Sequence, residues 1–337
     1  MKKFLGILVL GLLWCSESFA VGNCNQTPEA DIDDTIYNCD SNDIFDNTGA
    51  TYEIINTGGS VITTSGTDNV QIKNSGTIQT TVDDTPAING NNSTNLTITN
   101  NATGLIESVA KPININSGTD AEITNAGNIT SQGAEGIKAN GAGLKVTNSG
   151  TITAVNSPIK LENSATNAII INSGNIYGTN KKAINIIGDN ATITNESGGL
   201  IRAGSDGSVD GNQANAVIFD KANDSDRNGT LENYGTITAA RSAVKVNMQN
   251  LVINNYSGAT IQITDDNGEA AAIQVSDDNA TITNKGTLAG IGSSSHSIEV
   301  GNDVTGTKIY VDGAPTFTGE VEFNNAAANT TMYLGCS

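Results

Sequence analysis

Histidine occurs once in the 337 residues, at His296, and arginine three times, at Arg202, Arg227 and Arg241. A lone histidine builds neither a multi-histidine metal site nor a catalytic triad by itself, and in "SSSHSIE" it reads as a surface-loop residue. Aromatic residues make up 4% of the chain, and its one tryptophan, Trp14, sits in the first twenty residues. Past those twenty, no apolar run approaches the ~20 residues a helix needs to span a bilayer. Basic residues number 16 against 35 acidic ones, which argues against nucleic acid or anionic lipid as a partner. The composition is not a disordered one, because Ile and Val recur at regular spacing amid abundant Asn, Thr and Gly. It is that of β-branched strands broken by Asn and Gly turns.

The first twenty residues stand apart. Lys2 and Lys3 precede an apolar run from Phe4 to Trp14, and Ser18-Phe19-Ala20 places small residues at the cleavage-determining positions. Residues 1–20 read as a secretory signal peptide, with a mature chain beginning at Val21. Removing Lys2, Lys3 and Glu17 leaves 14 basic residues against 34 acidic ones, a net charge of −20. In an oxidising compartment Cys24 and Cys39 are close enough in sequence to form a disulfide, worth ~3 kcal/mol for a loop of that size. Cys336 is left over, either free, paired with another molecule, or separated from its natural partner.

One phrase recurs along the rest of the chain. "ITNAGNI" at 123–129 returns as IKNSGTI from Ile72, VTNSGTI from Val146, LENYGTI from Leu231 and ITNKGTL from Ile282. Its asparagine aligns at Asn56, Asn74, Asn100, Asn125, Asn148, Asn172, Asn195, Asn233, Asn255 and Asn284. Between copies lies an apolar-x-apolar triplet, as at Ile113–Ile115, Ile159–Leu161, Ile184–Ile186, Val244–Val246, Ile273–Val275 and Ile298–Val300. Apolar spacing of two excludes helical repeats, and repeats of this size stack because no single unit buries its own apolar face. Three short strands per unit predict an all-β fold, a right-handed single-stranded parallel β-helix of about ten coils. From the asparagine to the next strand's apolar residue the aligned copies count four or six positions and never an odd number, as a pleated register requires. The asparagines, inward by alternation, are expected to stack as an amide ladder, with Asn and Gly also serving a left-handed corner. The expected organisation is a signal peptide at 1–20, an N-terminal cap at 21–50, the β-helix at 51–312, and an extension or truncated continuation at 313–337.

The Asn-Ser-Gly-Thr-Ile phrases at 74–78 and 148–152 resemble passenger domains of bacterial autotransporters, over roughly residues 50 to 300. The resemblance implies export through outer-membrane machinery and residence at or beyond the surface of a Gram-negative bacterium, where many such passengers act as adhesins. A translocator barrel needs many strands of ~10 residues, and only 26 residues follow Val311. That departure leaves three readings: a fragment, a truncated relative, or a passenger exported by another route.

The functional expectation is a structural or adhesive role toward a surface ligand, glycan or protein. Its alternative is a polysaccharide lyase or glycoside hydrolase on the same fold, which needs carboxylates with a basic residue on neighbouring coils of one outward face. Three outward rows can be written from the alternation. The row before the asparagine runs Lys73, Thr99, Thr124, Thr147, Ile171, Thr194, Glu232, Asn254, Thr283, and the row two residues earlier runs from Gln71 to Thr281. The triplet row runs Asn89, Asn114, Lys138, Lys160, Asn185, Ile218, Lys245, Gln274, Glu299. None places two acids on adjacent coils, so no catalytic residue is assigned. Thr-x-Thr pairs such as Thr97–Thr99 hint at an ice-binding array, but Lys73, Glu122, Lys145, Ile169 and Glu232 interrupt it, and Thr suits a solvent-facing strand anyway. The rhythm breaks between Asn195 and Asn233, where two insertions are expected to carry function. The second holds Asp224, Asp226 and Asn228 at the opening spacing of a calcium loop. Its twelfth position is Gly235 instead of glutamate, which makes calcium a weak candidate beside a solvated acidic turn. No other cofactor is called for.

Overall fold

Short runs of Ile, Val and Thr alternate inward and outward with period two, and Asn, Asp or Gly closes each run, so the chain can build only short strands between tight corners. A computed structural model describes residues 21–24, 36–49, 52–204, 214–220, 227–265, 270–291, 295–324 and 327–335. The expected leader at 1–20, Asp224, Asp226, Cys336 and much of both insertions lie outside these residues. Among the described residues every strand pair is parallel, and the strands form three sheets of 12, 11 and 13 strands. The molecule is an all-β parallel solenoid of about eleven turns, with three strands per coil. At ~4.8 Å per coil the rod is roughly 50 Å long.

We call the three walls the ladder sheet, the glycine sheet and the triplet sheet. The ladder sheet runs from Ile44–Asn47 to Thr331–Leu334, the glycine sheet from Glu53–Asn56 to Thr316–Thr318, and the triplet sheet from Val21–Asn23 to Glu320–Phe323. Each coil passes through them in that order. Ile123, Ile129 and Ile137, one from each wall of a coil, are all fully buried. Burying each such side chain stabilises the fold by ~1.5–3 kcal/mol. Neighbouring coils repeat them as Val146, Ile152 and Ile159 in the same register, so the core is a column of stacked aliphatic layers.

The solenoid starts earlier and ends later than the sequence boundaries suggest. Residues 36–38 and 44–47 already pair in register with later coils, so much of the expected cap is itself a coil. Cys24 and Cys39 are bonded there, with Cα atoms 5.0 Å apart and both side chains buried. Beyond residue 312, strands 316–318, 320–323 and 331–334 continue all three sheets. The C-terminal segment is therefore a continuation of the rod.

Two expectations about the repeat need correction. Asn56 is not a ladder residue: its strand lies in the glycine sheet, where it faces Thr80, and its amide closes its own corner on Ser60 and Gly58. The ladder position of that coil is Asn47, which pairs with Asn74. From Asn47 to the next buried residue of the glycine sheet, Ile54, the count is seven, so the even-number rule fails at that coil. The corner is not pleated, and its parity is free. What is held constant is that the asparagine amide reaches the residue just before the next strand, whether that is Gly76, Gly104, Gly199 or Tyr52.

Candidate functional site

The expected ladder is present and continuous. Asn47, Asn74, Asn100, Asn125, Asn148, Asn172, Asn195, Asn233, Asn255 and Asn284 are buried, and each Nδ2 except that of Asn284 donates to the next Oδ1 at 2.8–3.0 Å. Most of these amides also donate to carbonyls at the corner: Asn125 bonds Gly127 O at 3.1 Å and Thr151 O of the next coil at 3.2 Å. The ladder stops where Val311 takes the asparagine's place opposite Asn284. Nδ2 of Asn284 is left buried with no hydrogen-bond partner among the described residues, a defect that costs ~1–3 kcal/mol. Val311→Asn is expected to raise the thermal midpoint, by an amount equivalent to about 1 kcal/mol in a denaturant titration.

Neither the ladder asparagines nor the glycines two residues after them adopt the left-handed backbone expected of them. A column of left-handed residues lies instead at the corner from the triplet sheet to the ladder sheet: Asn69, Asn95, Asp120, Gly143, Asn167, Asn190, Asn250 and Asn279, with φ between 53° and 76°; at the corner that follows a ladder asparagine, only the longer turns after Asn195 and Asn255 carry one, at Gly198 and Gly258, among the described residues. Parts of it form a second amide chain, with Asn95 donating to Asn69 at 3.0 Å and Asn190 to Asn167 at 2.7 Å. The signal was in the sequence as Asn, Asp or Gly followed by a small or aliphatic residue just before each strand, as in Asn69-Val70 and Asn167-Ala168.

All three rows keep the register written for them, but Asn185 and Ile218 of the triplet row are buried, so that row is not outward at those two coils. On the triplet sheet the lysines are part of an ion-pair network. Lys138 reaches Glu162 at 3.2 Å, while Lys160 reaches Glu162 at 2.9 Å and Glu135 at 3.5 Å. Burial opposes the charge on Glu162, but hydrogen bonds from Lys160 and Lys138 outweigh it and hold the carboxyl below its usual range. Lys182 behaves oppositely: burial pushes its amine down, Asp220 pulls it up, and Lys160, Lys245 and Lys181 add to the depression.

The triplet row does contain an acidic pair. It continues past Glu299 to Glu322, directly opposite on the next coil. Val321-Glu322-Phe323 is a further copy of the triplet, and it escaped notice because the helix was expected to end at residue 312. His296 is not isolated either: its Nε2 lies 3.0 Å from Glu322, and its Nδ1 is buried without a hydrogen-bond partner among the described residues. Gln274 donates to the other carboxylate, Glu299, at 2.9 Å.

Of the calcium candidates only Asn228 falls among the described residues. Its backbone N–H donates to Asp189 Oδ1 at 2.9 Å and its carbonyl accepts from Asn190 at 2.8 Å, which makes it part of the corner column. Arg227 pins the return of this insertion to the rod by donating to Ile187 O and Asn163. Among the described residues no group of three or more His, Cys, Asp or Glu is placed to hold a metal.

Few aromatics are present, yet four tyrosines lie on or beside the C-terminal part of the ladder sheet. Tyr234 and Tyr256, each directly after a ladder asparagine, stack at 4.1 Å with an interplanar angle of 6°. Tyr256 donates to Glu232 at 2.6 Å; this hydrogen bond first, then one with Tyr234, holds its phenol above the usual range. Asn254 donates to the second oxygen of Glu232 at 3.0 Å. Two coils further on, Tyr310 and Tyr333 stack at 4.7 Å. Sequence reading missed this cluster because the tyrosines lie at two different positions of the repeat.

A rod with a recurrent apolar interior, an asparagine ladder and variable outward rows defines the chain as a repetitive β-solenoid. Compared with protein-family models, curated proteins and solved structures, it matches none.

Proposed function

We propose that the protein is an exported, autotransporter-passenger-like rod that stands at or beyond the surface of a Gram-negative bacterium and binds a surface ligand there. The observation that carries this reading is the division of labour in the repeat. Ladder asparagines and core isoleucines recur coil after coil, while the outward positions change freely, so the rod is a rigid support for displayed side chains. Exposed Tyr234, Tyr310 and Tyr333 on or beside the ladder sheet fit ligand contact better than solubility. The leader-like residues 1–20 and the acidic charge agree with export of a soluble chain.

A second reading rests on Glu299, Glu322 and His296, two facing carboxylates and a basic residue on neighbouring coils. That is the arrangement a glycan-cleaving enzyme would use. One experiment separates the two. Purified 21–337 is applied to immobilised glycans and host-surface proteins, and in parallel to uronate polymers with product detection. Saturable binding without turnover is the expected result. Chain cleavage that Glu322→Gln abolishes would replace the adhesive reading with the enzymatic one, and absence of both binding and cleavage removes the adhesive reading.

A further inference from the structure

On the C-terminal part of the ladder sheet, two outward columns run side by side along the rod. One is the strand row Asn254, Thr283, Tyr310, Tyr333, each residue paired with the next across a coil boundary. The other is the corner column Tyr256, Lys285, Asp312, Gly335, whose backbone N–H groups each bond the coil before. Between them lies a groove of about 450 Å³ lined by Thr283, Lys285, Tyr310, Asp312, Tyr333 and Leu334, among others.

The rings of Tyr310 and Tyr333 are parallel within 8° and one coil apart, so their faces look along the rod. One face of Tyr310 is covered by Tyr333. The other looks toward the coil of Thr283, whose side chain is too short to cover it. A slot one residue wide therefore stands over the Thr283 hydroxyl, with an aromatic face as its end wall. Lys285 and Asp312, paired at 2.9 Å, form its side with a cationic donor and an anionic acceptor, both partly exposed. Tyr310 is itself 36% exposed, which keeps the slot open to solvent.

We infer that this slot is a saccharide subsite, taking one pyranose ring of a glycan chain in the place a tyrosine at position 283 would occupy. The inference rests on the surface-binding reading above and names its ligand class. The C–H face of a pyranose stacks on Tyr310, and the ring's hydroxyls need donors and acceptors around the rim. Lys285, Asp312 and the Thr283 hydroxyl supply both kinds. A purely apolar guest would leave the Lys285 and Asp312 ends unused, which is why a sugar is the better occupant.

The test uses purified 21–337, cellohexaose and chitohexaose as probes, and titration calorimetry beside intrinsic tyrosine fluorescence. The only tryptophan lies in the leader, so tyrosine emission is not masked. Wild type should bind at least one probe saturably. Thr283→Tyr, which continues the stack and fills the slot, should weaken that binding at least tenfold without lowering the thermal midpoint. Tyr310→Ala, which removes the end wall, should weaken it comparably. If wild type binds neither probe, or if both variants bind like wild type, the subsite is wrong. Ligand capture by the rod in the immobilised-surface assay that persists undiminished in Thr283→Tyr overturns the slot while leaving the adhesive reading intact.

Discussion

Asn148→Asp is expected to destabilise the rod by about 3–5 kcal/mol at neutral pH, and to recover much of that loss in acid. The side chain is fully buried in mid-ladder. Its Oδ1 accepts from Asn125, and its Nδ2 faces three oxygens: Asn172 Oδ1 at 2.8 Å, Gly150 O at 3.2 Å and Asn175 O at 3.2 Å. Replacing the amide nitrogen by a carboxylate oxygen turns those three hydrogen bonds into repulsions and buries a charge with no counter-ion. Protonated, the same group can donate to one of the three. The folded-state pKa is therefore raised above the unfolded value of ~3.9. The folded state then binds more protons than the unfolded state, so the variant is most stable below ~4 and loses stability as pH rises through the folded pKa. Denaturant midpoints measured across pH should show this slope in Asn148→Asp and not in Thr147→Asp, whose side chain points outward from the same strand. A variant that tolerates the carboxylate at neutral pH would mean that the ladder amides are not what holds the coils in register.

Much of this fold could be read in the sequence, because a two-residue period and a stacked repeat leave few alternatives. The core isoleucines, the ladder from Asn74 to Asn284 and the outward rows all follow from counting. The failures share one cause: a corner is read by chemistry, whereas a strand is read by periodicity. Asn56 aligns with the ladder in sequence because its Ile-Asn-x-Gly context imitates the phrase. Only strand pairing reveals that it faces Thr80 in another sheet. Glu322 lies beyond the boundary that the sequence suggests at residue 312, and so do the pair it forms with Glu299 and its contact with His296. The tyrosine face could not be seen at all, since Tyr256 and Tyr310 belong to different columns and come together only when the coils are stacked in register.

The glycine of the phrase is required by the spacing of the coils and not by a left-handed turn, and a pair of substitutions separates the two causes. Gly150→Ala is expected to cost more than 3 kcal/mol or to prevent folding, whereas Gly66→Ala should cost only about 1 kcal/mol. Gly66 is the residue with a left-handed backbone, φ 74°, and a Cβ built on it meets nothing within 4 Å; its penalty is conformational alone. Gly150 has no positive φ. A Cβ there would overlap the carbonyl oxygen of Gly127 on the previous coil and lie 2.5 Å from the carbonyl carbon and 2.6 Å from the carbonyl oxygen of Ala126. All three are backbone atoms held by the ladder: Gly150 N–H bonds Asn125 O, and Gly127 O accepts both from Thr151 and from the Asn125 amide. Nothing flexible can yield, so a methyl group must push two coils apart. Gly127 and Gly174 meet the preceding coil in the same way, which makes the constraint a property of the stack and not of one turn. Equal, small losses in Gly150→Ala and Gly66→Ala would return the phrase glycine to a turn role. The large difference expected here makes the phrase a statement about coil spacing: asparagine sets the bond between coils, and glycine leaves the room for it.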